Sequence, residues 1–346
     1  MRYDRKFMEY VLGESFKKGI YVDLDKLYEL LEINSRDVDY YRAKCISELG
    51  YGINLDYNVA VDRVINEASN EFKICLEEYR KSKNNLDKLK EILRNTREGR
   101  IHPKFSFGVT NRINYSSPSL NLNKGLREVI GVEKGYKIVK GDFEAFEVFI
   151  LINMLGIDKL KHIYETEDDF YMGVVKDIAG DKSYNVVRDD IKLAWLAGVY
   201  GSNLSGLEDK ETKGVIKKIK DKINNIEELV RYKERIKNYK GDVVQIESYF
   251  GTKKVIENDV NKVFNNTFQL TGSDLLYFTL KKCFDEISYR GLERNVRIYF
   301  TMHDEIILYV DEGHVKDAID ILNKSMVLEV NGWCRPKIQV EVRDHY

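Results

Sequence analysis

Asp142 and Asp304 are the carboxylates around which chemistry is most readily built. Asp142 lies where an apolar strand pattern over 136–142 gives way to a helical one from about Glu144, and Asp304 sits in the polar triplet His303–Asp304–Glu305 at the joint of two apolar strand patterns over 296–310. Each carboxylate would stand on rigid structure beside its loop, and two such tips can meet at one sheet edge. Two charges about 4 Å apart repel by about 4 kcal/mol at an effective dielectric of about 20, and a divalent cation between them reverses that cost. A pair of hard cations bridged by two aspartates is a device for in-line attack of a hydroxyl on a phosphate, and magnesium suits an oxygen-only ligand set. Taken singly, Asp142 reads equally as a helix cap and Asp304 as a turn residue.

A second pattern points to the same chemistry. Arg188, Lys192, Leu196 and Tyr200 recur every fourth residue in RDDIKLAWLAGVYG. On a helix each step turns about 40° past a full circle and rises about 6 Å, so the four form one slowly curving stripe. Its start carries two cations; its end carries an aromatic ring followed by Gly201, which permits close approach or ends the helix. A nucleoside triphosphate fits this order, with phosphates at the cationic end and base near the ring. Arg188 offers a planar fork and Lys192 a mobile ammonium able to protonate departing pyrophosphate. An ordinary surface stripe has the same spacing.

The elements that must position these residues follow from periodicity. Helices are expected over 23–32 and 38–48, with Asp23 and Ser35 as N-caps, and over about 61–97, where Val64, Ala68, Phe72, Ile74, Cys75 and Tyr79 keep three- and four-residue spacing. Pro103, Gly108 and Pro118 break 101–123 into short strands and loops. Residues 181–240 read as mostly helical with an interruption near 201–206, 243–251 as a hairpin-forming segment, 255–287 as a long helix or pair, 314–326 as a helix and 337–342 as a last strand.

Composition sets outer limits. Lysine and arginine number 56 and aspartate and glutamate 57 in 346 residues, so the net charge of −1 gives no support for a polyanionic partner. Basic residues do crowd 80–100 and 213–240, which allows a phosphate-facing surface as well as plain solvated helix faces. Cys45, Cys75, Cys283 and Cys334 form no CxxC or Cys/His cluster, which argues against zinc and disulfides and for a reducing compartment. The apolar run 148–155 is too short to span a bilayer, and MRYDRK is not followed by an export segment, so a cytoplasmic protein with no membrane contact is expected.

Taken in order, these segments resemble the motifs of family A DNA polymerases, the bacterial DNA polymerase I type, over about 8–346. GDFEAFE (141–147) is similar to the first carboxylate motif, RDDIKLAWLAGVYG (188–201) to the nucleotide-binding helix and TMHDEIIL (301–308) to the second carboxylate motif. NNTFQLTGSD (265–274) is similar to the family's N-x-x-x-Q segment, ESYFGTKK (247–254) to its E-x-x-x-G-R-R hairpin, TNRINYSSPSLN (110–121) to its primer-contact segment, and GIYVDLDKL (19–27) more loosely to the start of its polymerase domain.

The resemblance implies an α+β right-hand fold: an N-terminal palm-associated segment over 1–60, thumb helices over 61–100, a first palm part with an antiparallel sheet over 101–169, fingers over 170–251 and a second palm part over 252–346. It implies Asp142, Asp304 and the Phe143 carbonyl as ligands to two magnesium ions, with manganese as a substitute, and Glu305 and Lys192 as catalytic neighbours. Arg188, Lys192, Leu196, Tyr200 and Tyr171 would bind the nucleotide, and Glu147 would occupy the space of a ribose 2′-hydroxyl. Arg112 and Gln269 would read minor-groove acceptors of the nascent pair, Asn265 would support the template and His303 the primer end. The implied partners are primer-template DNA and deoxynucleoside triphosphates, for a monomer in a bacterial or phage-infected cell.

Departures from the family pattern are Leu196 for an aromatic residue, Tyr171 for a phosphate-binding histidine, Asn121 for glutamine and a primer-contact segment one residue short after Ser117. Residues 1–60 offer no D-x-E exonuclease strand, which implies no proofreading in this chain and leaves room for a separate exonuclease or processivity subunit. The compact, lysine- and tyrosine-rich style suggests a phage or mobile-element enzyme. A single-subunit phage-type RNA polymerase would share both aspartates but call for a smaller gate than Glu147 and HDS in place of HDE. The other alternative is a catalytically silent module that only binds primer-template DNA.

Overall fold

The computed structural model describes residues 3–179, 187–200 and 210–346. The chain opens with helix α1 (Arg5–Lys18) and strand β1 (Ile20–Tyr21), then sends out helix α2 (Leu24–Leu49), the single turn α3 (Asn58–Asp62) and the returning helix α4 (Asn70–Asn95). Asp23 caps α2 by accepting from the Lys26 backbone N–H at 3.0 Å, and Ser69 caps α4 through the Phe72 N–H at 3.0 Å. Strand β2 (Arg100–Ile101) pairs with β1 and closes the base of this helical hairpin.

Two expectations are corrected here. Ser35 starts no helix: it lies within the uninterrupted α2, because packing against α4 along its length outweighs a local cap signal. The pattern over 61–97 does not form one helix; it breaks into α3 and α4, which fold over a shared core of Val38, Cys45, Val61, Phe72, Leu76 and Tyr79. Val38 and Cys45 before residue 60 thus share a core with Val61, Phe72 and Leu76 after it.

Strands β3 (Lys104–Phe107) and β4 (Ile113–Ser116) form a hairpin whose loop carries Arg112. Strand β5 (Tyr136–Phe143) leads into α5 (Phe146–Leu155), α6 (Asp158–Thr166) and α7 (Phe170–Ala179). Helices α8 (Arg188–Tyr200), α9 (Lys210–Asn224) and α10 (Glu227–Lys237) precede the hairpin β6 (Val243–Glu247) and β7 (Lys253–Glu257). The interruption expected near 201–206 lies outside the described residues. One thirty-residue helix, α11 (Val260–Tyr289), stands where a helix or pair was expected; buried residues occupy all its faces, so it runs through the core. The chain ends with β8 (Val296–Met302), β9 (Glu305–Asp311), α12 (Val315–Met326) and β10 (Ile338–Arg343).

The main sheet has the order β10–β5–β9–β8 with every neighbour antiparallel. Alternation along its strands feeds two cores: Val139, Ile306, Leu308 and Val310 join the one containing α5, α11 and α12, while Ile138, Ile307, Tyr299 and Tyr309 join the one beneath α1 and the base of α4. Both faces are covered, which is why the β9 sequence is an unbroken apolar run rather than an alternation. Gly141 sits where α12 crosses β5: a Cβ there would meet the Met326 sulfur, so the Met326 side chain would have to shift to admit one beside Asp142. Among the described residues no helix is long and apolar enough to cross a membrane, and all four cysteines are buried and free.

Candidate active site

Asp142 is the penultimate residue of β5 and lies opposite Glu305, the first residue of β9. Asp304 is in the two-residue turn that joins β8 to β9, where Met302 pairs with Glu305. The two aspartates thus meet at one end of the central sheet. Burial, and then the Glu305 carboxylate, push the Asp142 carboxyl up to about 6, against the pull of Lys140 and Lys192. Burial, and then the Asp142 charge, push the Asp304 carboxyl up to about 7.

Neither aspartate accepts a side-chain hydrogen bond or forms an ion pair among the described residues. A partly buried carboxylate pair without a direct ion-pair partner is a hard-oxygen donor set that a divalent cation would satisfy. Among the described residues no three His, Cys, Asp or Glu side chains group into a metal site. The remaining oxygens would come from backbone, water and phosphates.

Glu305, expected as a catalytic neighbour, is already neutralised. It takes Lys140 Nζ at 3.1 Å and Arg127 Nη1 at 3.5 Å, and the Tyr346 hydroxyl donates to it at 2.6 Å. Arg127 also lies 4.6 Å over the Tyr346 ring. Sequence reasoning missed these three partners. Lys140 was within reach of it, since two residues before Asp142 on a strand means the same face; Arg127 and Tyr346 approach only through the fold.

The strand-to-helix turn after Asp142 sets Glu147. Ala145 takes φ 47° at the N-cap of α5, and the Glu144 N–H donates to Lys337 O at 2.9 Å. Glu147 then meets Arg112 at 3.1 Å across the β3–β4 loop, both side chains remaining well exposed. That loop is pinned to the sheet by the Tyr115 hydroxyl, which donates to Thr301 O at 2.7 Å. His303 (φ 54°) is exposed; partial desolvation, then the nearby Arg112 cation, lower its pKa.

Helix α8 brings its stripe to the same end. Lys192 is exposed and close enough to lower the Asp142 pKa. Arg188 is paired with Asp169 at 2.5 Å and Asp189 at 3.5 Å and lies 5.4 Å over the Tyr171 ring, so part of its charge is already engaged. Tyr171 is buried, and its hydroxyl pKa is raised first by burial and then by Glu147. Leu196 is half-buried against the main core, and Tyr200 packs edge-on to Phe264 of α11 at 5.8 Å. Gly201 lies outside the described residues. On α11, Asn265 and Gln269 are one turn apart; Gln269 Oε1 accepts from Thr110 at 3.5 Å, while Asn265 Oδ1 is buried without a partner among the described residues. Phe143 is buried at the end of β5 opposite Ile338.

The solved structure of the polymerase domain of Pol1 from M. smegmatis, in complex with DNA primer-template and dNTP, matches 97% of this chain and 69% of that one with a TM-score of 0.81 and 18% identity. The fold is therefore that of an α+β right-hand polymerase domain. The model of the family described as DNA polymerase family A matches residues 61–344, well over half of the chain. This chain belongs to DNA polymerase family A. It is 25% identical over 271 residues to DNA polymerase I of Aquifex aeolicus, covering 72% of this chain and 46% of that protein. It is 22% identical over 277 residues to the thermostable DNA polymerase I of Thermus filiformis, covering 71% and 31%. The chain spans less than half the length of these curated relatives.

Proposed function

We propose that the chain is a template-directed DNA polymerase that extends a primer 3′-hydroxyl with deoxynucleoside triphosphates. The observation that carries this reading is the pair of partly buried aspartates at one sheet end, without a direct ion-pair partner among the described residues, with Lys192 of α8 acting on Asp142. Family membership and the likeness to a polymerase domain solved with primer-template and dNTP support it. Helices α2–α4 would form the thumb, the central sheet with α11 and α12 the palm, and 170–251 the fingers.

Asp142 and Asp304, with the Phe143 carbonyl, would hold two magnesium ions, for which manganese can substitute. When bound, these supply a lowered pKa for the primer hydroxyl and neutralise charge on pyrophosphate. The side chains do the rest. Lys140, Arg127 and Tyr346 neutralise and fix Glu305, so that it does not compete with the aspartates for cation. Lys192, and Arg188 once released from Asp169, would take the triphosphate, and Lys192 would pass a proton to the leaving group. Glu147, steadied by Arg112, would exclude a ribose 2′-hydroxyl. Gln269 and Arg112 would meet the minor groove of the new pair and Asn265 the template, with His303 at the primer end.

Primer extension with deoxynucleotides and ribonucleotides in parallel tests the reading. The wild type should use deoxynucleotides, and Asp304→Ala should abolish extension while duplex binding persists. Exclusive use of ribonucleotides, or unchanged extension by the variant, would overturn it.

A further inference from the structure

The end of the central sheet remote from the aspartates carries a second concentration of charge. β5 starts at Tyr136 and β8 at Val296, and beside these starts a cleft of about 350 Å³ is lined by Lys18, Arg100, Tyr136, Arg294, Arg297 and Tyr309. Glu293 is the one acidic residue in its wall, so the lining is strongly cationic.

The charges are unequally compensated. Arg100 pairs with Glu133 and donates to Gly19 O at 3.2 Å. Lys18 and Arg294 are exposed and form no salt bridge among the described residues. Arg297 is half-buried, and its Nε and Nη1 are shielded from solvent with no hydrogen-bond partner among the described residues. Only ring faces serve it: its guanidinium lies 4.3 Å from the Tyr309 centroid and 5.3 Å from that of Tyr299. Burial opposes its charge, and the like charge of Arg100 adds to that.

Ring faces offset only part of the cost of withdrawing a guanidinium from water, so an anion held at the cleft by the exposed Lys18 and Arg294 would complete the compensation of the Arg297 charge. Tyr136 stacks on Tyr309 with centroids 4.5 Å apart and is itself only half-buried, leaving an aromatic surface at the cleft. The volume is at the small end of the range for small-molecule sites, and a concave wall suits a compact ligand better than a rigid duplex.

We propose that this cleft is a second anion site, distinct from the catalytic pair, which binds a small phosphate-bearing ligand through the exposed Lys18 and Arg294, with the Arg297 charge behind them. Its ligand is inorganic phosphate chemistry alone or a nucleoside phosphate whose base lies on Tyr136.

Calorimetric titration of the full chain with pyrophosphate and, separately, with dAMP, in EDTA, tests this. Saturable binding is expected to survive Lys192→Ala at the catalytic end and to weaken at least tenfold in the exposed double variant Lys18→Ala/Arg294→Ala, which keeps the buried Arg297 in place. Arg297→Met, which removes the charge behind the cleft, should weaken it as well. Tighter binding of dAMP than of pyrophosphate would identify a nucleoside phosphate, and the reverse an inorganic one. Absence of saturable binding, loss in Lys192→Ala with none in the double variant, or a response of the double variant to duplex DNA alone would overturn the proposal.

Discussion

Burial of the two aspartates beside each other has a measurable thermodynamic sign. Their folded pKa values lie above the ordinary carboxylate range, at about 6 for Asp142 and about 7 for Asp304. The native state therefore holds protons that the unfolded chain has released, and stability present at acid pH is lost as pH rises from about 4 through about 7. In EDTA at pH 8, Asp304→Asn should stabilise the protein by on the order of 2 kcal/mol, a rise of a few °C in Tm by calorimetry. A Tm unchanged between pH 5 and 8 in the wild type would count against this account. Glu147 is the other residue with a separable effect. Glu147→Ala opens the space it holds and releases Arg112, and discrimination against ribonucleotides should fall about 10–100-fold in kcat/KM, the size of effect a single steric contact supplies.

Strain and anchoring are distributed over particular elements. Three non-glycine residues with positive φ flank the site: Asn111 before Arg112, Ala145 between Asp142 and Glu147, and His303 before Asp304. Such conformations cost on the order of 1–3 kcal/mol each and persist only where neighbours enforce them, here the Tyr115–Thr301 and Glu144–Lys337 contacts. The β6–β7 hairpin depends on one buried group. Asp274 of α11 is fully buried and accepts from Ser248 Oγ at 2.5 Å and Thr252 Oγ1 at 3.0 Å. Asp274→Ala leaves both hydroxyls without their acceptor and should cost about 2–4 kcal/mol in urea unfolding, with proteolysis near 248–252 enhanced. Ser248→Ala should cost less, since Thr252 still serves the carboxylate.

For the molecule as a whole, DNA engagement should follow from the outreaching α2–α4 unit and the cationic α4. Lys90 and Arg94 of α4 are exposed and form no side-chain ion pair among the described residues. Lys90→Ala/Arg94→Ala should weaken duplex binding equally for unrelated sequences and reduce the slope of log K against log salt by about 1–2, as measured by fluorescence anisotropy. The strands of the central sheet were legible from local pattern alone: 136–142 and 296–310 fold as β5, β8 and β9 because apolar runs bounded by polar turns leave a strand little choice. The aspartates were legible as candidates for the same reason, since each marks the end of such a run. Helix continuity was not. Ser35 looks like a cap in isolation, yet α2 runs through it because α4 lies alongside, and α3 separates from α4 because both must fold over one core. Charge state was equally hidden: that Arg188 is held by Asp169, and that Glu305 is neutralised by Lys140, Arg127 and Tyr346, depends on contacts between residues up to 178 apart. Local order and periodicity reside in neighbouring residues and can be read along the chain, whereas burial and pairing depend on which surfaces meet once it has folded.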